Sequence, residues 1–87
     1  MILALLIEIT DTPFKYLKSL DKPTRRRIKE KLEALAEDPT NIRLSLPLSG
    51  SNKRRARVGG YRILFTFDEQ TLTVSDIGPR GQVYRGV

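Results

Sequence analysis

Apolar residues run almost unbroken from Ile2 to Ile9 with β-branched residues at the ends, the pattern of a strand covered on at least one face of a sheet. Thr12 and Pro13 then read as an N-cap and a first helical turn, and Phe14, Leu17 and Leu20 recur at threefold spacing along one side of a short helix. Asp21 and Pro23 restart the signal. Ile28, Leu32, Leu35 and Ala36 fall at i, i+4, i+7 and i+8 before Asp38 and Pro39 stop it, so a longer amphipathic helix follows across a tight turn. Residues 41–52, NIRLSLPLSGSN, mix turn formers with spaced leucines and predict a loop pinned to the core, with room for a short extended piece. Three β segments follow, Arg54–Val58, Tyr61–Asp68 and Thr71–Ile77, separated by Gly59-Gly60 and Glu69-Gln70. The predicted order is β-α-α-β-β-β in a single domain, 1–87. It is an α+β fold whose mainly antiparallel sheet packs on an αα-hairpin.

The pair Gly59-Gly60 fixes more than a boundary. As the two central residues of a tight hairpin turn they set the register, so that Val58 faces Tyr61, Ala56 faces Ile63 and Arg57 faces Arg62, with Arg55 on the same side as Arg57. The other side carries Ala56, Val58, Ile63, Phe65 and Phe67, which Leu72 and Val74 join across the second turn, and should receive the helices. Like charges directly opposed in a sheet cost a few tenths to about 1 kcal/mol, which calls for compensation. Three arginines on one face read either as solvated side chains whose stems cover apolar sheet or as an anion site, since guanidinium forks match phosphate oxygens and keep their charge at any cellular pH.

Composition favours an anionic partner. Sixteen Lys and Arg against ten Asp and Glu give a net charge of +6, which places nucleic acid first, with a membrane surface or an acidic protein behind it. The chain has no cysteine and no histidine, so it offers neither a disulfide framework nor thiolate chemistry nor the usual zinc ligand sets. No cofactor or metal is expected. The opening apolar run lacks a basic leader and is far below the roughly 18 apolar residues of a membrane span, which points to a cytoplasmic chain. Near the C-terminus, Gly78, Pro79 and Gly81 let the chain bend, so that Arg80 and Tyr84 can fold toward the arginine face. Tyr84 has the chemistry to stack on a base or exchange a proton, and equally that of a half-buried edge aromatic. Asp76 falls on the helix side by strand alternation unless a bulge precedes Gly78. Arg25, Arg26 and Arg27 point in different directions on their helix and read as a solvated face.

The element order, the helix ending LEALAEDP, the hairpin RARVGGYRILF and the closing DIGPRGQVYR together resemble the RelE/ParE superfamily of bacterial and archaeal toxins over nearly the whole chain. The resemblance to the RelE branch implies a toxin of a type II toxin–antitoxin system that cleaves mRNA in the ribosomal A site by 2′-hydroxyl attack without a metal. It implies an acidic antitoxin as partner. Carried over by position, Arg55 and Arg57 match the two basic residues before the turn, Arg62 the arginine after it, and Arg80 and Tyr84 the C-terminal pair. Lys53, Arg54 and Arg85 flank them as RNA-binding candidates. Arg62 and Arg80 suit stabilisation of a phosphorane-like transition state. Where better-known members use lysine, histidine or glutamate, this chain offers arginine, which is a poor proton acceptor with a pKa above about 12; the general base is therefore unassigned. Two other readings share the fold: a ParE-like inhibitor that binds DNA gyrase and cleaves no RNA, and a non-catalytic RNA-binding module.

Overall fold

The computed structural model describes residues 4–80. Strand β1 (Leu6–Ile9) leads into helices α1 (Asp11–Lys18) and α2 (Lys22–Glu37), a two-residue strand β2 (Leu46–Pro47), and then β3 (Arg54–Val58), β4 (Tyr61–Phe67) and β5 (Thr71–Pro79). They form one five-stranded sheet in the order β1-β5-β4-β3-β2. β1 runs parallel to β5 and the other pairings are antiparallel. The αα-hairpin is the crossover that a parallel neighbour requires, and it puts both helices between β1 and the rest of the sheet in sequence.

The first helix starts two residues earlier than its Thr-Pro signal suggests. Its N-cap is Thr10, and the Phe14 amide donates to the Thr10 carbonyl at 3.0 Å. Pro13 thus sits in the first turn, where a missing N–H costs nothing. The Thr10 hydroxyl does not cap the helix; it donates to the Val74 carbonyl at 3.2 Å and so ties the β1–α1 junction to β5. The second helix begins after Asp21 with Pro23 in its first turn and ends at Glu37.

Ile28, Leu32 and Leu35 of α2 pack onto Ala56, Ile63, Phe65, Leu72, Val74 and Ile77 of the sheet. Leu17 and Leu20 border this cluster. Phe14, expected on the same helical face, is instead 47% exposed and carries the Lys18 ammonium 5.2 Å from its ring centroid, an arrangement that keeps the aromatic useful at the surface. No helix among the described residues is long and apolar enough to cross a membrane.

Candidate functional site

The hairpin forms in the expected register, with Val58 opposite Tyr61, Ala56 opposite Ile63 and Arg57 opposite Arg62. Of the two glycines at its tip, Gly59 takes the positive φ, 55°, which is the demand of the first central position in a type II′ turn. Because cross-strand partners share a face, Arg55 and Arg57 lie on the side away from the helix cluster, together with Arg62 and Leu64.

The second hairpin contains an irregularity that reorganises this face. Phe65 pairs with Val74, but Leu64 pairs with Asp76, so Ser75 is an extra residue on β5 and its hydroxyl donates to the Leu64 carbonyl at 3.3 Å. A bulge of this kind re-aims the residues after it. Asp76 therefore leaves the helix side, where plain alternation put it, and joins Leu64 and Arg62.

The Arg62 guanidinium donates to Asp76 Oδ2 and to the Pro79 carbonyl, both at 2.7 Å. Gly78 is its partner on β5, which leaves room for a long side chain to cross that strand. Arg62 was expected as an open-face cation; it is instead buried, with 4% of its surface exposed. The opposition of Arg57 and Arg62 is thereby compensated, since Asp76 neutralises one of the two. Tyr16 stands nearby, edge-on to Tyr61 with ring centroids 6.4 Å apart. Burial and then the Tyr61 phenol push the Tyr16 hydroxyl above its ordinary pKa; Arg62 opposes that rise and Asp76 adds to it.

The remaining candidates divide. Arg57 is exposed, and Arg55 is half-buried on the same face. Arg80 is exposed, with its amide bonded to the Gly60 carbonyl at 2.8 Å and its side chain 3.4 Å from the Gly59 carbonyl, so it stands at the hairpin tip. Arg27 arrives there from α2: its Nη1 lies 3.9 Å from the position a Cβ on Gly59 would take. Arg54 shares the other face with Phe65 and is tied to the loop, its Nε donating to Ser45 Oγ at 2.8 Å and its Nη2 to the Ser45 carbonyl at 3.0 Å. Ser45 is itself buried and donates to the Pro39 carbonyl. Arg54 thus braces the segment before β2 and does not stand with Arg55 and Arg57. Lys53 is half-buried in the 48–53 turn, where its carbonyl accepts from the Leu48 amide. Tyr84 and Arg85 lie outside the described residues.

At the β2–β3 end of the sheet, Arg55 and Arg57 line a cleft of about 210 Å³ together with Lys31 and Arg43. The aliphatic side chains of Ile42, Leu44 and Leu46 complete its wall. Sequence reasoning missed both this cleft and the role of Asp76. A signal for the second was present: opposed arginines need a carboxylate, and Asp76 is the only acid in the last 18 residues, 70–87.

The sequence model described as the ParE toxin of the type II toxin–antitoxin system, parDE, matches residues 7–84. Among solved structures, the archaeal RelE–RelB complex from Pyrococcus horikoshii OT3 is 25% identical over 93% of this chain and 100% of its own, with a TM-score of 0.75. The RelB–RelE antitoxin–toxin complex from Methanococcus jannaschii is 25% identical over 92% and 98%, with a TM-score of 0.69. The isolated Escherichia coli RelE toxin, 21% identical over 93% and 89%, matches in fold with a TM-score of 0.77. Comparison with curated protein sequences finds no significant match.

Proposed function

Because the chain belongs to the ParE toxin family of type II toxin–antitoxin systems, within the RelE/ParE superfamily, we propose that it is a toxin that cleaves mRNA on the ribosome. The observation that carries this reading is the pair Arg55 and Arg57 on the open sheet face, with Arg80 at the neighbouring hairpin tip. In the proposed reaction the ribose 2′-oxygen attacks the adjacent phosphorus and its proton passes to an acceptor. The bond from phosphorus to the 5′-oxygen breaks, and that oxygen takes up a proton. The products are a 2′,3′-cyclic phosphate and a 5′-hydroxyl. Arg57 and Arg80 hold the non-bridging oxygens as their charge grows, which needs no proton from either. Arg55 orients the backbone. Arg62, held and neutralised by Asp76, acts as the floor beneath Arg57. The proton acceptor is none of these arginines; Tyr84 is the candidate for stacking and proton exchange.

A second reading, inhibition of DNA gyrase by binding alone, is favoured by the ParE identity of the matching family and by the engagement of Arg62 with Asp76. Induced expression followed by primer extension on cellular mRNA separates the two. Cuts phased with codons support cleavage; intact mRNA, together with inhibited supercoiling by purified gyrase, overturns it.

A further inference from the structure

The turn of the arginine hairpin needs only one of its two glycines. Gly59 takes a positive φ, which a side chain resists, but Gly60 does not. A Cβ added to Gly60 would meet nothing within 4 Å. Neither backbone conformation nor packing therefore requires a glycine at 60, and its effect is to leave the tip of the hairpin clear. Glycine serves in this way where another molecule comes close to the backbone.

The charges around the tip define what comes close. Arg80, at the end of β5, reaches the Gly59 carbonyl at 3.4 Å, and Arg27, from α2, brings Nη1 to 3.9 Å from the Cβ position of the same glycine. Both arginines are exposed. Among the described residues the only ion pair is Arg62 with Asp76, so neither guanidinium at the tip has a carboxylate against it. The acid that does sense Arg27 is Asp21, whose carboxyl is held below its ordinary value first by the Thr24 side chain and least by Arg27. Arg57 stands two residues before Gly59 on the open face, while α2 packs on the opposite face. Cations thus run from the open face, across the cleared tip, to the helix side. Guanidinium groups placed in this way match the oxygens of successive phosphates.

We propose that Arg27 and the cleared tip at Gly60 form a second phosphate subsite, over which the substrate RNA strand leaves the open face. Arg80 stays with the scissile phosphate and Arg27 takes the neighbouring one. Arg27 is a binding residue, remote from the reacting atoms. The proposal deepens the cleavage reading and rests on it for the position of the scissile phosphate, but the contact itself is tested without cleavage.

The purified toxin is titrated with a short single-stranded 2′-O-methyl RNA, which cannot be cut by 2′-hydroxyl attack, over a series of salt concentrations. Arg27→Ala should weaken the Kd about fivefold and flatten the slope of log K against log salt by about 0.7, the loss of one phosphate contact to a single strand. The melting temperature should not change. Arg27→Lys should recover the slope. Arg26→Ala removes the same charge from the next position of α2, which points elsewhere, and should leave the slope near that of the parent. Gly60→Leu should weaken binding without loss of stability, because its side chain occupies the path of the strand. A parental slope in Arg27→Ala, an equal effect from Arg26→Ala, or parental binding by Gly60→Leu overturns the proposal. On ribosomes carrying a cleavable mRNA, Arg27→Ala should raise KM and keep kcat. A parent that cuts mRNA while Arg27→Ala binds and cuts like it defeats this proposal alone. A parent that cuts nothing, yet binds RNA with a slope that depends on Arg27, defeats the cleavage reading and leaves the subsite standing.

Discussion

Removing Asp76 should cost the fold more than removing Arg62, although the two form one ion pair. The Arg62 side chain is only 5% exposed, whereas that of Asp76 is 36% exposed. Asp76→Ala leaves a guanidinium almost dry, still bonded to the Pro79 carbonyl but without the Asp76 carboxylate. Breaking a fully buried pair costs about 3 to 5 kcal/mol; the remaining acceptor and the hydrated carboxylate side bring the expectation here to about 2 to 3 kcal/mol. Arg62→Ala leaves a carboxylate that water can reach, and should cost about 1 to 2 kcal/mol. For a domain of this size each kcal/mol moves Tm by about 4 to 8 °C, so the two variants are easily ranked by thermal melting and urea titration. The double variant should be milder than the sum, with a coupling of about 1 kcal/mol or more. Toxicity supplies a second axis, because Arg62→Ala leaves an unneutralised carboxylate on the arginine face. Adding Asp76→Ala to it should recover part of the lost activity. The reasoning fails if Arg62→Ala proves the more destabilising variant, or if the coupling is below about 0.5 kcal/mol.

Gly59→Ala should lower stability by about 1 kcal/mol in urea titration, through the positive φ alone, since the added Cβ meets nothing nearer than Arg27 Nη1 at 3.9 Å. Asp68 accepts from the Gln70 and Thr71 amides at 2.8 Å each, bonds that hold its carboxyl below the ordinary value; the stabilisation is present above the unfolded pKa of about 3.9 and is lost as pH falls through the folded one. Asp68→Asn should therefore melt below the parent at pH 7 and converge with it in acid, as Tm scans across pH will show. Arg57→Ala should slow mRNA cleavage about 100-fold or more at nearly unchanged Tm. Arg57→Lys distinguishes charge from geometry: recovery of the rate means charge suffices, and a rate as low as that of alanine means the bidentate fork is needed.

The parts of this fold that were legible in the sequence are those that rest on local pattern. Ile28, Leu32 and Leu35 mark their helix by spacing alone, and Gly59-Gly60 sets the pairing of Arg57 with Arg62 because a two-residue turn admits one register. The parallel placement of β1 on β5 is long-range and has no local signature. Phe14 obeys its helical spacing and still faces solvent, because α1 borders the core at Tyr16 and Leu17. Arg54 reads like its neighbours in RRAR, yet alternation turns it to the helix side, where Ser45 takes both of its bonds.

The chemistry of the arginine face depends on the bulge before Gly78, the one exception to plain alternation that the sequence reading left open, and on its extra residue, Ser75. Without the bulge, Asp76 would share the helix side with Val74 and Ile77 would turn away from it, so a carboxylate would be buried against Ile63 and Phe65 at a cost that hydrophobic packing does not tolerate. With it, Ile77 returns to the core opposite Ile63, while Asp76 reaches Arg62 on the other side. One inserted residue thus solves two problems of charge together. It removes a carboxylate from the core, and it neutralises one member of the opposed pair, so that Arg57 can stand exposed beside it. The face then presents Arg55, Arg57 and Arg80 outward over a neutralised base, which concentrates positive potential where an anionic backbone or an acidic partner approaches and limits the self-repulsion that five strands must carry.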